Sequence, residues 1–281
     1  MKHSTRKTPK RIGWYLSAAV LVAFGVTSVF PIFWMVLASL KTAIEIWNRP
    51  PLFFFTPNFS SYTDLFGPDI NYQKFLANSL IIAVGTSALS VTLGSMAAYA
   101  FTRGKFWGSK SLQMWFLSLK FLPSIVIIFP LFLEYRYFGL MDTQLGVILA
   151  HSTFLIPFSL WLMKAYLQDL PKAIDEAAMV DGASRLETFR KIILPLVAPG
   201  MAVTAAFCFV FSWNEFIIAY ILTSNSAVTA PTRLTQFRGL ESIDWPHLFS
   251  AEVVSLIPLF IMFLILQRFL VRGLSLGAVK G

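Results

Sequence analysis

Charged residues are scarce in this chain: 13% of its 281 residues are Asp, Glu, Lys or Arg, whereas 56% are hydrophobic. A soluble domain of this length carries about a quarter charged residues. A large core does not explain the deficit, because a soluble surface would still need polar groups to cover it. The composition therefore excludes an ordinary soluble protein and predicts an integral membrane protein.

Cysteine is nearly absent as well, since Cys208 is the single one and lies in an apolar run. This excludes a disulfide framework or a paired-cysteine metal site within the chain. No His, Cys and carboxylate cluster has the spacing of metal ligands, and no nucleophile lies beside a general base. We therefore expect no metal site, no catalytic residue and no enzymatic activity.

The chain has a formal net charge of +9, but the distribution of its basic residues argues against a nucleic-acid partner. Lys and Arg form short clusters beside apolar runs, and no basic helix interleaved with aromatic residues is present. Retention of basic residues on the cytoplasmic side of a membrane explains the excess more simply.

Six stretches are apolar and long enough to cross a bilayer as helices of about 20 residues. They are residues 14–39, 76–100, 112–133, 144–167, 196–222 and 248–270. The third contains Lys120 and the fifth contains Glu215. We therefore predict an all-α protein with six transmembrane helices in a single domain.

The Lys and Arg residues indicate the orientation of these helices. With the N-terminus inside, the inner segments hold sixteen of them and the outer segments hold six. Because cytoplasmic segments are enriched in Lys and Arg, we predict a multi-pass membrane protein with both termini in the cytoplasm. This orientation also places the polar loop 169–195 in the cytoplasm.

The loop 169–195 has the pattern of two short helices joined at a glycine. Pro171 suits a first helical turn, and Asp175 and Glu176 follow where negative charge favours a helix N-terminus. Gly182 allows the turn that ends the helix, and a second amphipathic segment leads to Pro195. The pattern fits either a knob that enters a groove of a soluble partner or a helix pair lying on the membrane.

The spacing of the residues in this loop resembles the signature loop of ATP-binding-cassette (ABC) importer permeases. The matching residues are Glu176, Ala177, Ala178, Gly182, Ile192, Leu194 and Pro195. The six predicted helices, the segment 213–216 and the ending from residue 270 to 281 are also similar to permeases of carbohydrate importers of the MalG type. The resemblance covers nearly the whole chain.

The resemblance implies the type I importer permease fold, with the loop 169–195 as a coupling loop that docks in a cytoplasmic ATPase dimer. It also implies a bacterial or archaeal cytoplasmic (inner) membrane as the location. The implied partners are a second, homologous permease and an extracytoplasmic solute-binding protein, besides the membrane lipid. The chain has no phosphate-binding loop of its own. ATP and Mg²⁺ are therefore expected on the partner ATPase, and no cofactor on this chain.

Ionisable groups inside a membrane are costly and are candidate functional residues. Glu215 lies about 28 Å from the cytoplasmic start of the fifth stretch at 1.5 Å per residue, beside Trp213 and Asn214. An aromatic ring with amide and carboxylate acceptors suits a sugar or polyol. The alternative is a polar pair that seals the permease–permease interface or contacts the binding protein. Lys120 either extends to the inner interface or lines the translocation path.

Taken together, these features predict the permease subunit of an ATP-driven, binding-protein-dependent importer of a sugar or sugar-like solute that works by alternating access. Two alternatives are a self-sufficient channel or secondary transporter that uses Lys120 and Glu215 as relay groups, and a membrane scaffold without a transport role. The sequence does not identify the solute, and oligosaccharides, monosaccharides, polyols and glycerol phosphates all remain open.

Overall fold

A computed structural model of the protein describes residues 10–104, 106–121, 123–239 and 242–277. Every named element in these residues is helical, which confirms the all-α prediction. The chain divides into two compact units, residues 1–70 with 237–254 and residues 71–236 with 255–281. Residues 1–9 and 278–281, on which the predicted cytoplasmic location of the two termini rests, lie outside the described part.

The first unit contains α1 (Lys10–Ser39), α2 (Ala43–Ile46), α3 (Ser60–Phe66) and the beginning of α14 (Trp245–Gly277). α1 is apolar from Trp14 to Ser39, and most of these side chains are exposed, as expected for a helix that faces lipid. After α1, Lys41 lies over the ring of Trp34, 5.1 Å from its centre.

The second unit contains the long helices α4 (Tyr72–Arg103) and α7 (Gln144–Gln168), which pack closely. A β-carbon at Gly94 would lie 2.6 Å from the β-carbon of Ser159, so only glycine allows this approach of the two helices. Between them in the chain lie α5 (Ser109–Ser118), a 3-10 turn (Leu119–Phe121) and α6 (Ser124–Tyr137). The close contact of α4 and α7 at Gly94 is of the kind that small residues permit between helices in a membrane.

The rest of the second unit runs from α8 (Ala173–Val180) through α9 (Arg185–Glu187), a π-helical stretch (Thr188–Ile193) and α10 (Leu194–Leu196) to α11 (Ala198–Trp213). Then follow α12 (Ile217–Leu222), α13 (Ala230–Arg233), a 3-10 turn (Leu234–Phe237), which ends in the first unit, and the remainder of α14. α11 packs against both α4 and α7.

Four helices in the described residues are long and apolar enough to cross a membrane. They are Trp14–Ser39, Tyr72–Arg103, Gln144–Gln168 and Trp245–Gln267. A fifth crossing is possible if Arg185–Leu196 and Ala198–Trp213, which are bent by 78°, form one span. The total of six crossings remains a prediction.

Two of the predicted stretches are not continuous helices, which corrects the expectation of one helix for each. The stretch 112–133 is divided where Pro123 precedes α6, because proline lacks an N–H and disfavours helical conformation in the residue before it. The stretch 196–222 is divided at residues 214–216, where the side chain of Glu215 bonds to the first N–H groups of α12. Its helical run also begins earlier, at Arg185, before the bend at Val197.

Candidate functional site

The first helix of the loop 169–195 ends in a turn that requires glycine. The N–H of Gly182 donates to the carbonyl of Met179 (3.1 Å), and the N–H of Ala183 donates to that of Ala178 (3.0 Å). This pair of bonds is a Schellman cap. Gly182 has φ +86°, a conformation that costs other L-residues about 1–2 kcal/mol. No atom lies within 4 Å of the position of a β-carbon there, so glycine is needed for its backbone and not for space.

The second half of the loop begins with a capping box. The hydroxyl of Ser184 accepts from the N–H of Glu187 (3.3 Å), and the carboxylate of Glu187 accepts from the N–H of Ser184 (3.0 Å). Together these bonds satisfy two N–H groups that a helix start leaves without partners. The π-helical stretch Thr188–Ile193 follows, and such stretches occur often at functional sites.

A buried ion pair joins α8 to the end of α4. Nε of Arg103 donates to Oδ2 of Asp175 (2.9 Å), and the hydroxyl of Tyr99 donates to Oδ1 (2.9 Å). The same guanidinium donates to the carbonyl of Leu170 (3.0 Å). The side chains of Asp175 and Arg103 are only 6% and 8% exposed. Buried charges persist in proteins when they are paired and hydrogen-bonded in this way, so this pair fixes α8 on α4.

Apolar packing against α7 and against Tyr99 of α4 supports the second half of the loop. Phe189 and Ile193 are buried against Met163 and Leu167 of α7. The ring of Phe189 lies 4.9 Å from that of Tyr99, measured between ring centres. The loop is therefore held on the helix ends by one ion pair and one apolar cluster.

The outer surface of the loop combines exposed apolar and charged side chains. Glu176, Ala177, Gly182 and Pro195 are exposed, Ile192 and Leu194 are half-buried, and Ala178 is buried. Met179, Val180 and Leu186 are also exposed, although the sequence motif does not include them. Contiguous apolar side chains with a polar rim are typical of a surface that binds a partner. Of the seven motif residues, Ala178 thus supports the packing of α8 and does not reach this surface.

Three of the predicted substrate-path residues, Trp213, Asn214 and Glu215, do not meet on one open surface. Trp213 is buried, and its ring stacks on that of Phe209 with centres 5.6 Å apart. Asn214 is exposed, and its Nδ2 donates to the carbonyl of Val210 (2.8 Å). Lys120 belongs to the 3-10 turn Leu119–Phe121, but its side chain lies outside the described residues. A stacking ring beside a free carboxylate, the arrangement expected for a sugar site, is not formed by Trp213 and Glu215 here.

Glu215 instead begins a helix. Both of its carboxylate oxygens lie 3.0 Å from the N–H of Ile218, and Oε2 also accepts from the N–H of Ala219 (3.1 Å). Nε2 of His151 on α7 lies 3.3 Å from Oε2. The other ring nitrogen of His151, Nδ1, is 2.8 Å from the hydroxyl of Ser212. His151 thus joins both sides of the break between α11 and α12 to α7.

An apolar cavity of about 480 Å³ lies between α4, α11 and α14. Ser87 and Thr92 are the polar residues among its described lining, and Trp213, Asn214 and Glu215 are not part of it. Within the residues that the structure describes, no group of three or more His, Cys, Asp or Glu could hold a metal ion.

At the opposite end of α7 a carboxylate is surrounded by backbone N–H groups. Asp142 accepts from the N–H groups of residues 224–227 at distances of 2.8–3.1 Å. Burial would raise the pKa of Asp142, but these backbone hydrogen bonds outweigh burial and lower the pKa well below its usual range. This bond set, like the Asp175 pair, joins residues that are far apart in the chain, and no sequence signal pointed to it.

The chain matches known transport proteins along most of its length. Residues 90–276 match the family described as "Binding-protein-dependent transport system inner membrane component". The chain is 35% identical over 271 residues to the trehalose transport system permease protein SugB of Mycobacterium tuberculosis, covering 95% of this chain and 97% of that protein. It is 35% identical over 266 residues to the trehalose/maltose transport system permease protein MalG of Thermococcus litoralis, covering 94% and 95%.

Among solved structures, the fold is similar to a chain of a bacterial ABC transporter involved in the import of the acidic polysaccharide alginate. The TM-score is 0.77 at 22% sequence identity, over 94% of this chain and 99% of that chain. The structural likeness supports the type I importer permease fold, and the matches in sequence establish the family. The chain belongs to the binding-protein-dependent transport system inner membrane components, as a permease subunit of the MalG-like carbohydrate ABC transporter group.

Proposed function

We propose that this chain is the permease subunit of an ATP-driven importer and that the loop 169–195 is the surface on which a separate ATPase acts. The proposal rests on the structure and contacts of α8. It ends in a glycine-dependent turn, exposes Glu176, Ala177 and Val180, and is fixed to α4 through the buried pair of Asp175 and Arg103. A push on the exposed side of α8 is therefore transmitted to α4.

The proposed orientation places this loop and both chain termini in the cytoplasm, where the ATPase dimer would hold ATP and Mg²⁺. The chain itself hydrolyses no ATP and binds no cofactor in this proposal. Its partners are a second, homologous permease, the ATPase dimer and an extracytoplasmic solute-binding protein. The family to which the chain belongs supports these assignments.

The proposed cargo is a carbohydrate or a carbohydrate-like solute such as a polyol. The named activities of the relatives, which transport trehalose or maltose, support this class. For Glu215 the contacts with α12 and His151 favour the structural role over direct contact with the solute. The roles of Trp213, Asn214 and Lys120 in the substrate path remain predictions.

The proposed transport cycle follows from the separate roles of the ATPase dimer and the two permeases. Closure of the ATPase dimer on ATP would displace α8, and the displacement would switch the two permeases between inward-facing and outward-facing states. Such alternation needs no ionisable relay inside the membrane. A self-sufficient channel or secondary transporter would move solute without any ATPase, so solute uptake by this chain alone in proteoliposomes would support that alternative.

A pair of glycines provides a matched test of the coupling role. Gly182 has φ +86° and Gly108 has φ +79°, and at both positions no atom lies within 4 Å of an added β-carbon. A Gly→Val substitution therefore strains the backbone by a similar amount, about 1–2 kcal/mol, at either position. Gly108 precedes α5 and lies outside the loop 169–195.

We expect Gly182→Val to leave membrane insertion intact but to abolish ATP-dependent uptake by the reconstituted importer and to weaken retention of the ATPase during purification. Gly108→Val should keep at least half of the parent uptake. Equal uptake and equal ATPase retention in the two variants would refute the coupling role of the turn.

A further inference from the structure

A second cavity, of about 590 Å³, lies where α4 and α7 end and α5 begins, near the start of the loop 169–195. Its volume is typical of small-ligand clefts, which range from about 300 to 1,000 Å³. Apart from Thr102, the polar side chains that line it are basic or carry amides: Arg103, Lys110, Gln113, Lys164, Gln168 and Lys172. No carboxylate is among its described lining residues. Such a cavity has the chemistry to bind an anion.

The cations differ in how far they are already neutralised. Arg103 is paired with Asp175. Lys164 contacts Oε1 of Gln113 and lies 4.8 Å from the ring centre of Trp161, so it is held in place but has no counter-charge from these neighbours. Lys110 and Lys172 are exposed, and neither is ion-paired within the residues that the structure describes. Among the described residues, Lys110, Lys164 and Lys172 thus give the cavity three positive charges without an ion pair.

Exposed aromatic side chains lie just before α5 and within it, and the ring of Phe106 packs on that of Phe101 in the cavity wall with centres 5.6 Å apart. Trp107 is fully exposed, Trp115 is 55% exposed, and Phe106 is also on the surface. Trp residues concentrate at the level of lipid headgroups. Phe101, Leu170 and Pro171 form the apolar part of the cavity wall. A basic cavity with an apolar side at this level is the arrangement that binds anionic headgroups between membrane helices.

We propose that this cavity binds the phosphate group of an anionic phospholipid, such as phosphatidylglycerol, in the cytoplasmic leaflet. Lys110 and Lys172 supply charge at its mouth, and Lys164 supplies charge within it. The Gln113 and Gln168 amides are available to donate to headgroup oxygens. The choice of leaflet rests on the proposed orientation, but the binding itself does not depend on the proposed transport function. Because the loop begins at this cavity, a bound lipid would contact its first residues, Leu170 and Pro171.

The test compares two double variants that each remove two positive charges. Lys110→Gln with Lys172→Gln removes charge from the cavity, whereas Arg190→Gln with Lys191→Gln removes exposed charge from the same loop outside the cavity. Retention of phosphatidylglycerol and of phosphatidylcholine by the purified full chain is measured by native mass spectrometry at a series of lipid concentrations. Neither the ATPase nor a transport substrate is present, so a failed uptake assay and a failed lipid assay are distinguishable.

We expect the parent chain to retain phosphatidylglycerol in preference to phosphatidylcholine. Each lysine near an anionic surface contributes a factor of roughly five in affinity, so the cavity variant should bind phosphatidylglycerol about 25-fold more weakly. The control should remain within about twofold of the parent. Equal losses in the two double variants would overturn the site.

Two further variants and one competition experiment test the same site independently. Lys110→Arg with Lys172→Arg keeps both charges and should retain the lipid. Gln168→Glu adds a carboxylate to the cavity and should weaken lipid binding, which gives a test even if the double Gln variant fails to fold. Unchanged binding in Gln168→Glu would contradict the proposal. Glycerol 3-phosphate that displaces the lipid at equal concentration would show a site for free phosphate compounds and overturn the lipid assignment.

Discussion

The buried pair of Asp175 and Arg103 leads to a quantitative prediction about the stability of α8. In Asp175→Asn the side chain keeps its shape, but the guanidinium of Arg103, which is 8% exposed, loses its counter-charge. Removal of one partner from a buried ion pair costs about 3–5 kcal/mol. Because asparagine retains one acceptor oxygen, we expect a cost near the lower limit, about 3 kcal/mol. The loss should be local, since the pair joins α8 to the last turn of α4.

Hydrogen exchange of the chain in lipid nanodiscs measures this cost directly. A local loss of about 3 kcal/mol corresponds to roughly 100-fold faster exchange of the amides in α8. Exchange in the middle of α7, around Leu160, should not change and serves as the internal control. Tyr99→Phe removes one hydrogen bond to a charged acceptor, worth about 1.5 kcal/mol, and should accelerate exchange about tenfold.

The variant that combines Arg103→Gln with Asp175→Asn removes both charges and should exchange more slowly than Asp175→Asn alone, because no uncompensated charge is then buried. The reasoning would be refuted if Asp175→Asn left exchange in α8 within threefold of the parent. It would also be refuted if the double variant were the less stable of the two.

Three further predictions concern stability elsewhere in the chain. Asp142→Asn should lower the unfolding free energy by about 1–3 kcal/mol near neutral pH. Because the pKa of Asp142 is lowered in the folded chain, its contribution is present in full above the unfolded value of about 4 and is lost only as the pH falls toward the lower folded value. The difference between the thermal unfolding midpoints of parent and variant should therefore be constant above about pH 4 and shrink on further acidification, and a difference that does not shrink would contradict this. Gly94→Ala should destabilise the chain by about 1–3 kcal/mol, because a β-carbon would lie 2.9 Å from the backbone nitrogen of Leu160. Gly25→Ala, where nothing lies within 4 Å of an added β-carbon, should not destabilise it. Equal thermal unfolding midpoints of the two variants would exclude the close approach of α4 and α7. Glu215→Ala should increase hydrogen exchange at the start of α12, because the N–H groups of Ile218 and Ala219 lose their acceptor. The loss of such a helix cap costs about 1–2 kcal/mol of stability. Unchanged exchange there would contradict the capping role of Glu215.

Much of the fold could be predicted because its signals are local. Apolar length identifies the long helices α1, α4, α7 and α14, which four of the predicted stretches match. The turn at Gly182 follows from a glycine placed after a short helical pattern, and its φ of +86° has the expected sign. These features depend only on residues that are close together in the chain, so a single sequence is enough to predict them.

The contacts that hold the site together could not be predicted, because they join distant residues. Asp175 meets Arg103 across 72 positions, and His151 meets Ser212 across 61. In the sequence Asp175 is simply an acidic residue in a first helical turn, where negative charge is favourable on its own. Glu215 was interpreted as a candidate solute contact because an ionisable group in a membrane is costly. In the structure the carboxylate accepts from backbone N–H groups at the start of α12, and Nε2 of His151 lies 3.3 Å from it.

Besides its apolar cluster on α7, the loop 169–195 has two further connections to the membrane helices. α8 is fixed to α4 by the Asp175 pair, and α4 packs on α7 so closely that a β-carbon at Gly94 would not fit. Close-packed interiors transmit displacement with little compression, so a push on α8 would move α4 and α7 together. The run from Arg185 to Leu196 instead reaches α11 through a 78° bend, which can absorb rotation.

These two connections lead to α4 and α11, and both helices contribute residues to the wall of the apolar cavity. If the proposed coupling is correct, a force on the loop would therefore change the separation of α4 and α11 more than that of α4 and α7. A spin-label pair at Thr92 and Ala202, both in the cavity wall, would report this separation. Nucleotide binding to the assembled importer should shift that distance, while a pair on α4 and α7 should remain constant; the reverse pattern would exclude this path.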